Sequence, residues 1–466
     1  MSQIAERNFK NQVGLKFQLY NSLFTSLPFH SIEKTNIRLM MFLDDCEEGY
    51  QQGLSPTQIV EKFFQKFSIT NDTKAQTDLL FRFVQYVERQ VVLFDAMEDA
   101  AFRDINDFMG MGSLKQLETE VKQEDARQAL LKKLEDFAVT LVLTAHPTQF
   151  YPGTVLGIIN DLAKALKDNN TNLVNLYLQQ LGKTPLLKKE KPTPYEEAIS
   201  LVWYLENIFY NAVGRIISQF KSQFKELDLA SNPIVKMGFW PGGDRDGNPN
   251  VNCDTTLRVA DALRTSIIKC YYLDVRKLKR RLTFKGIDNT LALLEQKLYN
   301  NVFIPGQRTQ LSQQEILESL YGIREVLVNQ HDGLFLHLLD DLIHKVEVFG
   351  LHFASLDIRQ DSSILTMVME EISKKDGLPS TGYMQMNDQE KMKYLASPKA
   401  QTNPDQYEGI VKDSLESFRA ISTIQSLNGP RGSCRYIISQ CNSALNVMEV
   451  YGLFLMNGWQ KEKLAI

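Results

Sequence analysis

The sequence predicts an α/β protein, predominantly α-helical, with short strands set among long helices. Two observations predict it. Four short runs rich in β-branched or aromatic residues are separated by long stretches of helical periodicity. Three of those runs close directly on a distinctive polar group, a pattern that suits strand ends gathered at one face of a barrel.

From the N-terminus to about residue 136 the pattern is helical, and 1–136 reads as a region of its own. Helices fit Ala5 to Leu27, Ser31 to Gly49 and Gln123 to Glu135, with Gly110 and Gly112 marking a break. Between Asp78 and Arg103, Leu80, Val84, Val87, Val91 and Phe94 recur at helical steps and predict the buried stripe; Arg82, Glu88 and Arg89 fall elsewhere. The first strand follows, Ala138 to Thr144, and leads into Ala145-His146-Pro147. Pro147 steers His146 to extended geometry at the strand's end, where its ring is either a catalytic base or an ordinary structural histidine.

A helix over Val155 to Lys167 leads to two polar connections, Asp168 to Asn172 and Lys188 to Lys191. Thr193, Pro194 and Glu196 then supply an N-cap, a proline at the first helical position and the return half of a capping box. Ser312 and Glu315 repeat the box after Pro305-Gly306.

The second strand, Ile234 to Phe239, runs into WPGGDRDGNPNV, the strongest cluster of Gly, Asp, Asn and Pro in the chain. Gly242 and Gly243 allow positive φ or close backbone approach, and Asp244, Arg245 and Asp246 are crowded beyond ordinary solvated charges. Calcium is excluded, because position 6 of the loop is Pro249 instead of Gly and position 12 is Thr255 instead of Glu. Dinucleotide and Walker patterns are absent too.

Residues 346–361 form a third strand-like run that ends on Asp357, Arg359, Gln360 and Asp361. An arginine so close to a buried strand is either clamped by aspartate or offered to an anion. His337, His344 and His352 lie at helical spacing among leucines and fit packing better than metal ligation. Lys374 to Gln406 reads as a surface excursion, Arg435 to Ser439 as the fourth strand, and Leu445 to Met456 as the last helix, after which the chain reads as cut.

The 466 residues are 43% hydrophobic and 23% charged, which fits a soluble globular protein with a sizeable core. With 52 basic against 56 acidic residues there is no nucleic-acid footprint, so an anionic ligand would be held by a few placed arginines. Five scattered cysteines without CxxC spacing predict reduced, mostly buried thiols in a cytoplasmic protein. No secretory signal or membrane span is readable.

Three segments carry a resemblance to a known family. LVLTAHPTQ at 141–149, GFWPGGDRDGNPNV at 238–251 and FGLHFASLDIRQDS at 349–362 resemble, in order, the signature segments of phosphoenolpyruvate carboxylase. KPTPYEEA at 191–198 and YIISQ at 436–440 are similar to that family as well. The resemblance reaches only the enzyme's amino-terminal half. It implies that 137–466 is an incomplete, half TIM-like barrel with helical inserts, cut before the carboxy-terminal catalytic half.

The resemblance also implies a lyase that joins phosphoenolpyruvate and bicarbonate into oxaloacetate and phosphate in the cytoplasm, as a homo-tetramer when full-length. His146 carries over as the general base and Arg359 as the clamp on the phosphoryl group. Arg245, flanked by Asp244, either serves the same pocket or holds the loop's shape. The Mg2+ (or Mn2+) of the full-length enzyme would take its ligands from the part of the family chain not matched here, and no metal ligand is assigned in this one. Two adjacent arginines that usually follow HPTQ, associated in the family with phosphorylated activators, are replaced by Pro152 and Gly153. On this reading the chain alone is inactive; the competing reading is a stand-alone, non-catalytic homologue that binds a partner or complementary chain through an open barrel edge.

Overall fold

The computed structural model describes residues 3–27, 33–67, 72–121, 124–144, 153–186, 192–229, 231–306, 311–376, 382–398 and 401–464. Contacts divide the chain into two compact units, one formed by Met1–Val121 with Pro147–Lys191, the other by Lys122–His146 with Pro192–Ile466. The first unit is thus discontinuous in sequence, with helices from both sides of the first strand. Among the described residues no helix is long and apolar enough to cross a membrane.

Every regular element described in the first unit is a helix. Its longest helix, Thr73–Ile105, starts on the Asp72 side chain, which accepts from the Ala75 amide. It buries Leu79, Phe83, Tyr86, Leu93 and Met97, whereas Val84, Val87 and Val91 are 53%, 41% and 40% exposed. The expected stripe is therefore rotated; of its members, Leu80 and Phe94 do pack against the core. The helix is apolar on two faces, and aromatic partners decide which one turns inward. Phe83 meets Phe42 and Phe63, and Tyr86 lies against Phe24 at 5.3 Å between ring centroids.

Arg89, expected away from the core, is buried at 7% exposure. Its guanidinium donates to the carbonyls of Gln85, Leu181 and Thr184, the last two at the end of the helix Thr171–Lys183. Carbonyls left open by a helix end thus compensate for the buried charge. The expected polar connection at 168–172 is shorter than predicted, since Asn170 already caps this helix through the Leu173 amide.

The second unit holds two small parallel sheets among long helices. Strands β1 (Val139–Leu143), β2 (Val235–Phe239) and β3 (Ser355–Leu356) pair in that order, with Leu141 opposite Met237 and Gly238 opposite Ser355. Strands β4 (Ile358–Asp361) and β5 (Tyr436–Ser439) make the second sheet, with Arg359 opposite Ile437. Only Asp357 separates β3 from β4, so one extended segment belongs to both sheets. Helices fill the sequence between successive parallel pairs, as a parallel connection requires.

Local chemistry explains most boundaries. Thr193 and Glu196 form both halves of the capping box that opens Pro194–Tyr204, and Ser312 accepts the Glu315 amide at the start of Gln313–Gln330. The expected strand run at 346–361 needs correction, because Val346–Phe349 closes the helix Leu336–Phe349 and extended pairing begins only at Ser355. Gly350 at φ +51 and Phe353 at φ +60 make the break. The expected surface excursion at 374–406 also carries anchors: Tyr383 and Leu395 are fully buried in a core with Leu365, Phe418 and Leu453.

The rotated stripe gives a direct stability test. Phe83→Ala is expected to cost about 3 kcal/mol in urea unfolding, while Val87→Ser changes stability by less than about 0.5 kcal/mol. The opposite ranking would place the core on the face first predicted.

Candidate functional site

The loop after β2 is built by alternation. Trp240 extends the strand pairing by donating its amide to the Leu143 carbonyl, and the chain then turns through Gly242 at φ +82. At Gly243 a Cβ would fall 2.1 Å from the Asp357 carbonyl oxygen, so the glycine is required by the neighbouring strand. The loop backbone locks onto β4: the Arg359 amide donates to Gly243 at 3.0 Å and the Arg245 amide donates to Arg359 at 2.9 Å.

With the backbone held so, alternate side chains go to different partners. Asp244 and Asp246 both reach Arg359, at 2.8 Å to Nη1 and 2.6 Å to Nη2. The guanidinium also lies 5.3 Å from the centre of the Trp240 ring. All three charged side chains are 26–27% exposed, so this fork, carried on the second residue of β4, lies within reach of solvent.

Arg245 has the other environment. Its side chain is 3% exposed, its Nε donates to Asp413 at 3.1 Å, and its Nη2 lies 3.2 Å from Thr256 Oγ1 and 3.4 Å from Cys253 Sγ. Asp413 spends its other oxygen on the Cys253 amide at 2.8 Å. Thr256 donates to the Gly242 carbonyl, and Asn252 caps the helix Cys253–Lys279 through the Thr255 amide. Arg245 therefore ties the loop to two helices.

Behind the fork, Asp357 is 2% exposed and accepts from Arg435 Nε at 2.9 Å and Trp240 Nε1 at 3.2 Å. Burial pushes its carboxyl up from the usual range, against the pull of those two donors. The Trp240 ring that supports Arg359 is thereby fixed from below. Sequence reasoning had picked out Arg359, Arg245 and Asp244; it missed the roles of Asp413 and Arg435. Asp413 lies in the helix Gly409–Asn428, 160 residues beyond the amide it holds, with no local signal.

His146, together with Pro152, lies outside the described residues, which stop at Thr144 on this side of the gap. Of the described histidines, His344 and His352 are set in structural surroundings. His344 Nδ1 is 3.1 Å from Ser218 Oγ, and burial drives His352 down to about 3. The cysteines are free, but Cys434 and Cys441 are exposed, so the expectation of mostly buried thiols holds only for Cys253 and Cys270.

Cys253, Asp413 and Glu416 bring one potential metal-ligand atom each within 4.8 Å of one another, the one such group among the described residues. Its donors do not fit a magnesium ion. Burial pushes the Cys253 thiol up to about 12, and both Asp413 oxygens are committed to Arg245 and the Cys253 amide. Asp244 and Asp246 are likewise committed to Arg359.

A mostly helical unit with short parallel strands, its charged groups set on β4 and on the loop that follows β2, is the class that this geometry defines. The family profile of phosphoenolpyruvate carboxylase matches residues 57–302 and 284–465, and the chain belongs to that family. Among relatives, the phosphoenolpyruvate carboxylase of Gloeobacter violaceus is 26% identical over 387 residues, covering 68% of this chain and 41% of the relative. That of Shewanella halifaxensis is 26% identical over 381 residues, covering 71% and 43%. The chain thus spans about two-fifths of the length of these curated relatives.

The loop anchor makes a prediction. Asp413→Ala leaves Arg245 buried without its carboxylate and is expected to lower stability in urea by about 2 kcal/mol, discounted because Asp413 is partly exposed. Hydrogen exchange at the Cys253 amide should accelerate in parallel. A loss below about 0.5 kcal/mol would mean that Arg245 is held by something else.

Proposed function

We propose that this chain is the amino-terminal portion of a phosphoenolpyruvate carboxylase, a lyase that converts phosphoenolpyruvate and bicarbonate to oxaloacetate and phosphate. The observation that carries the reading is the Arg359 fork on β4, set beside the GGDRDGNPNV loop in a chain of this family. On this reading β1, β2, the β3–β4 segment and β5 are successive strands of a TIM-type barrel; their parallel pairing in chain order supports it. Val139, Leu141 and Val142 of β1 are 39–44% exposed, as an edge strand awaiting further barrel would be.

The chemistry divides among few groups. A bicarbonate oxygen attacks phosphorus, the bond from phosphorus to the enol oxygen breaks, and carboxyphosphate and the enolate of pyruvate result. His146 then takes the carboxyphosphate proton; the carbon–oxygen bond to phosphate breaks, and the enolate carbon captures the released CO2. Arg359 neutralises charge on the phosphoryl oxygens, for which its planar fork is better shaped than a lysine ammonium. Arg245 and Asp244 shape the loop, because Arg245 is committed to Asp413 and Asp244 to Arg359. A divalent cation would contribute charge stabilisation for the phosphoryl and enolate oxygens. Among the described residues Asp244, Asp246 and Asp413 are otherwise engaged, and on this reading its ligands belong to the remainder of the longer family chain, as does completion of a cytoplasmic homo-tetramer.

The test is reconstitution. Mixed with the carboxy-terminal half of a relative, the chain should produce oxaloacetate from phosphoenolpyruvate, and His146→Asn should lower that rate at least about a hundredfold without unfolding the protein. Undiminished turnover by the variant would remove His146 from the mechanism.

A further inference from the structure

Both terminal nitrogens of the fork that would bind a phosphoryl group already hold a carboxylate. Nη1 donates to Asp244 and Nη2 to Asp246, so an anion that approaches these two terminal nitrogens meets a carboxylate at each. The local charge repels it as well, one cation standing against two aspartates.

The two aspartates are not equivalent. Asp244 is part of the loop's frame: its amide donates to Trp240, its Oδ1 accepts the Asp246 amide at 3.2 Å, and its backbone bridges to Arg359. The Asp246 carboxylate has Arg359 as its one side-chain partner among the described residues. It is 26% exposed and is followed by Gly247 at φ +67, where a Cβ would meet nothing within 4 Å. One side chain is thus built in, and the other sits next to open space and a permissive backbone.

We propose that Asp246 is a specificity-determining residue: its carboxylate occupies Nη2 of Arg359 as an internal stand-in for substrate, and a phosphoryl group binds by displacing it while Asp244 stays. A ligand carboxylate that takes this place only exchanges one monoanion for another and gains nothing. A phosphoryl dianion brings more charge and more acceptor oxygens to the same fork and wins the exchange. Asp246 thereby makes the pocket select for phosphorylated over merely carboxylated ligands.

The inference rests on Arg359 being the anion clamp, and calorimetric titration of the full 466-residue chain with phosphoenolpyruvate at low salt separates the two ideas. Asp246→Asn keeps the side chain's shape and removes the competing charge, so it should bind about three- to tenfold tighter than wild type. Asp246→Glu, which restores the charge, should return affinity toward wild type; a purely structural residue would not follow charge in this way. Arg359→Gln should abolish binding alone and combined with Asp246→Asn. If Asp246→Asn binds no tighter while Arg359→Gln still abolishes binding, the stand-in role is wrong and the clamp survives. If Arg359→Gln binds like wild type, or neither wild type nor Asp246→Asn binds, both ideas fall. Thermal melting of each variant confirms that the fold compared is the same.

Discussion

The ion pairing of Arg359 with Asp244 and Asp246 is the constraint on which the described site depends. It joins residues more than 110 positions apart and fastens the loop after β2 to β4. Two short charge-assisted bonds in fork geometry, with an indole ring underneath, fix both the loop and the guanidinium. Because a quarter of each side chain remains exposed, the pairing is screened and can be exchanged. A buried pair in the same place would hold the loop more firmly.

The loop's inner side supplies the permanence that the outer side lacks. Arg245 is almost fully enclosed and meets Asp413, Thr256 and the thiol of Cys253. Breaking a buried pair on one side leaves a desolvated charge, so this contact resists removal far more than the exposed fork does. The sequence Asp-Arg-Asp at 244–246 thus sends the middle residue inward as an anchor and its neighbours outward. Asp357, held by Arg435 and Trp240, extends the same logic beneath the fork. The arrangement leaves Arg359 as the more exposed cation and Arg245 as the enclosed one.

Much of this was legible from the residues alone. Strand positions followed from short β-branched runs, and the capped helix starts at Thr193 and Ser312 followed from local hydrogen-bond chemistry that needs no tertiary partner. Two of the three family segments contain the loop after β2 and the strand β4. Failures came where one local pattern admits two outcomes. Val346–Phe349 is as apolar as a strand yet finishes a helix, and the helix Thr73–Ile105 carries two apolar faces. Long-range partners were beyond reach for another reason: Asp413 lies on an ordinary amphipathic helix, and nothing near it in sequence points to the amide of Cys253.

A double-mutant cycle between Arg359 and Asp244, read by urea unfolding, tests the central claim most directly. Arg359→Gln and Asp244→Asn should each destabilise the protein, and the pair should cost less than the sum of the singles by at least about 0.5 kcal/mol. Strict additivity would contradict the account, since the two side chains would then contribute nothing through each other.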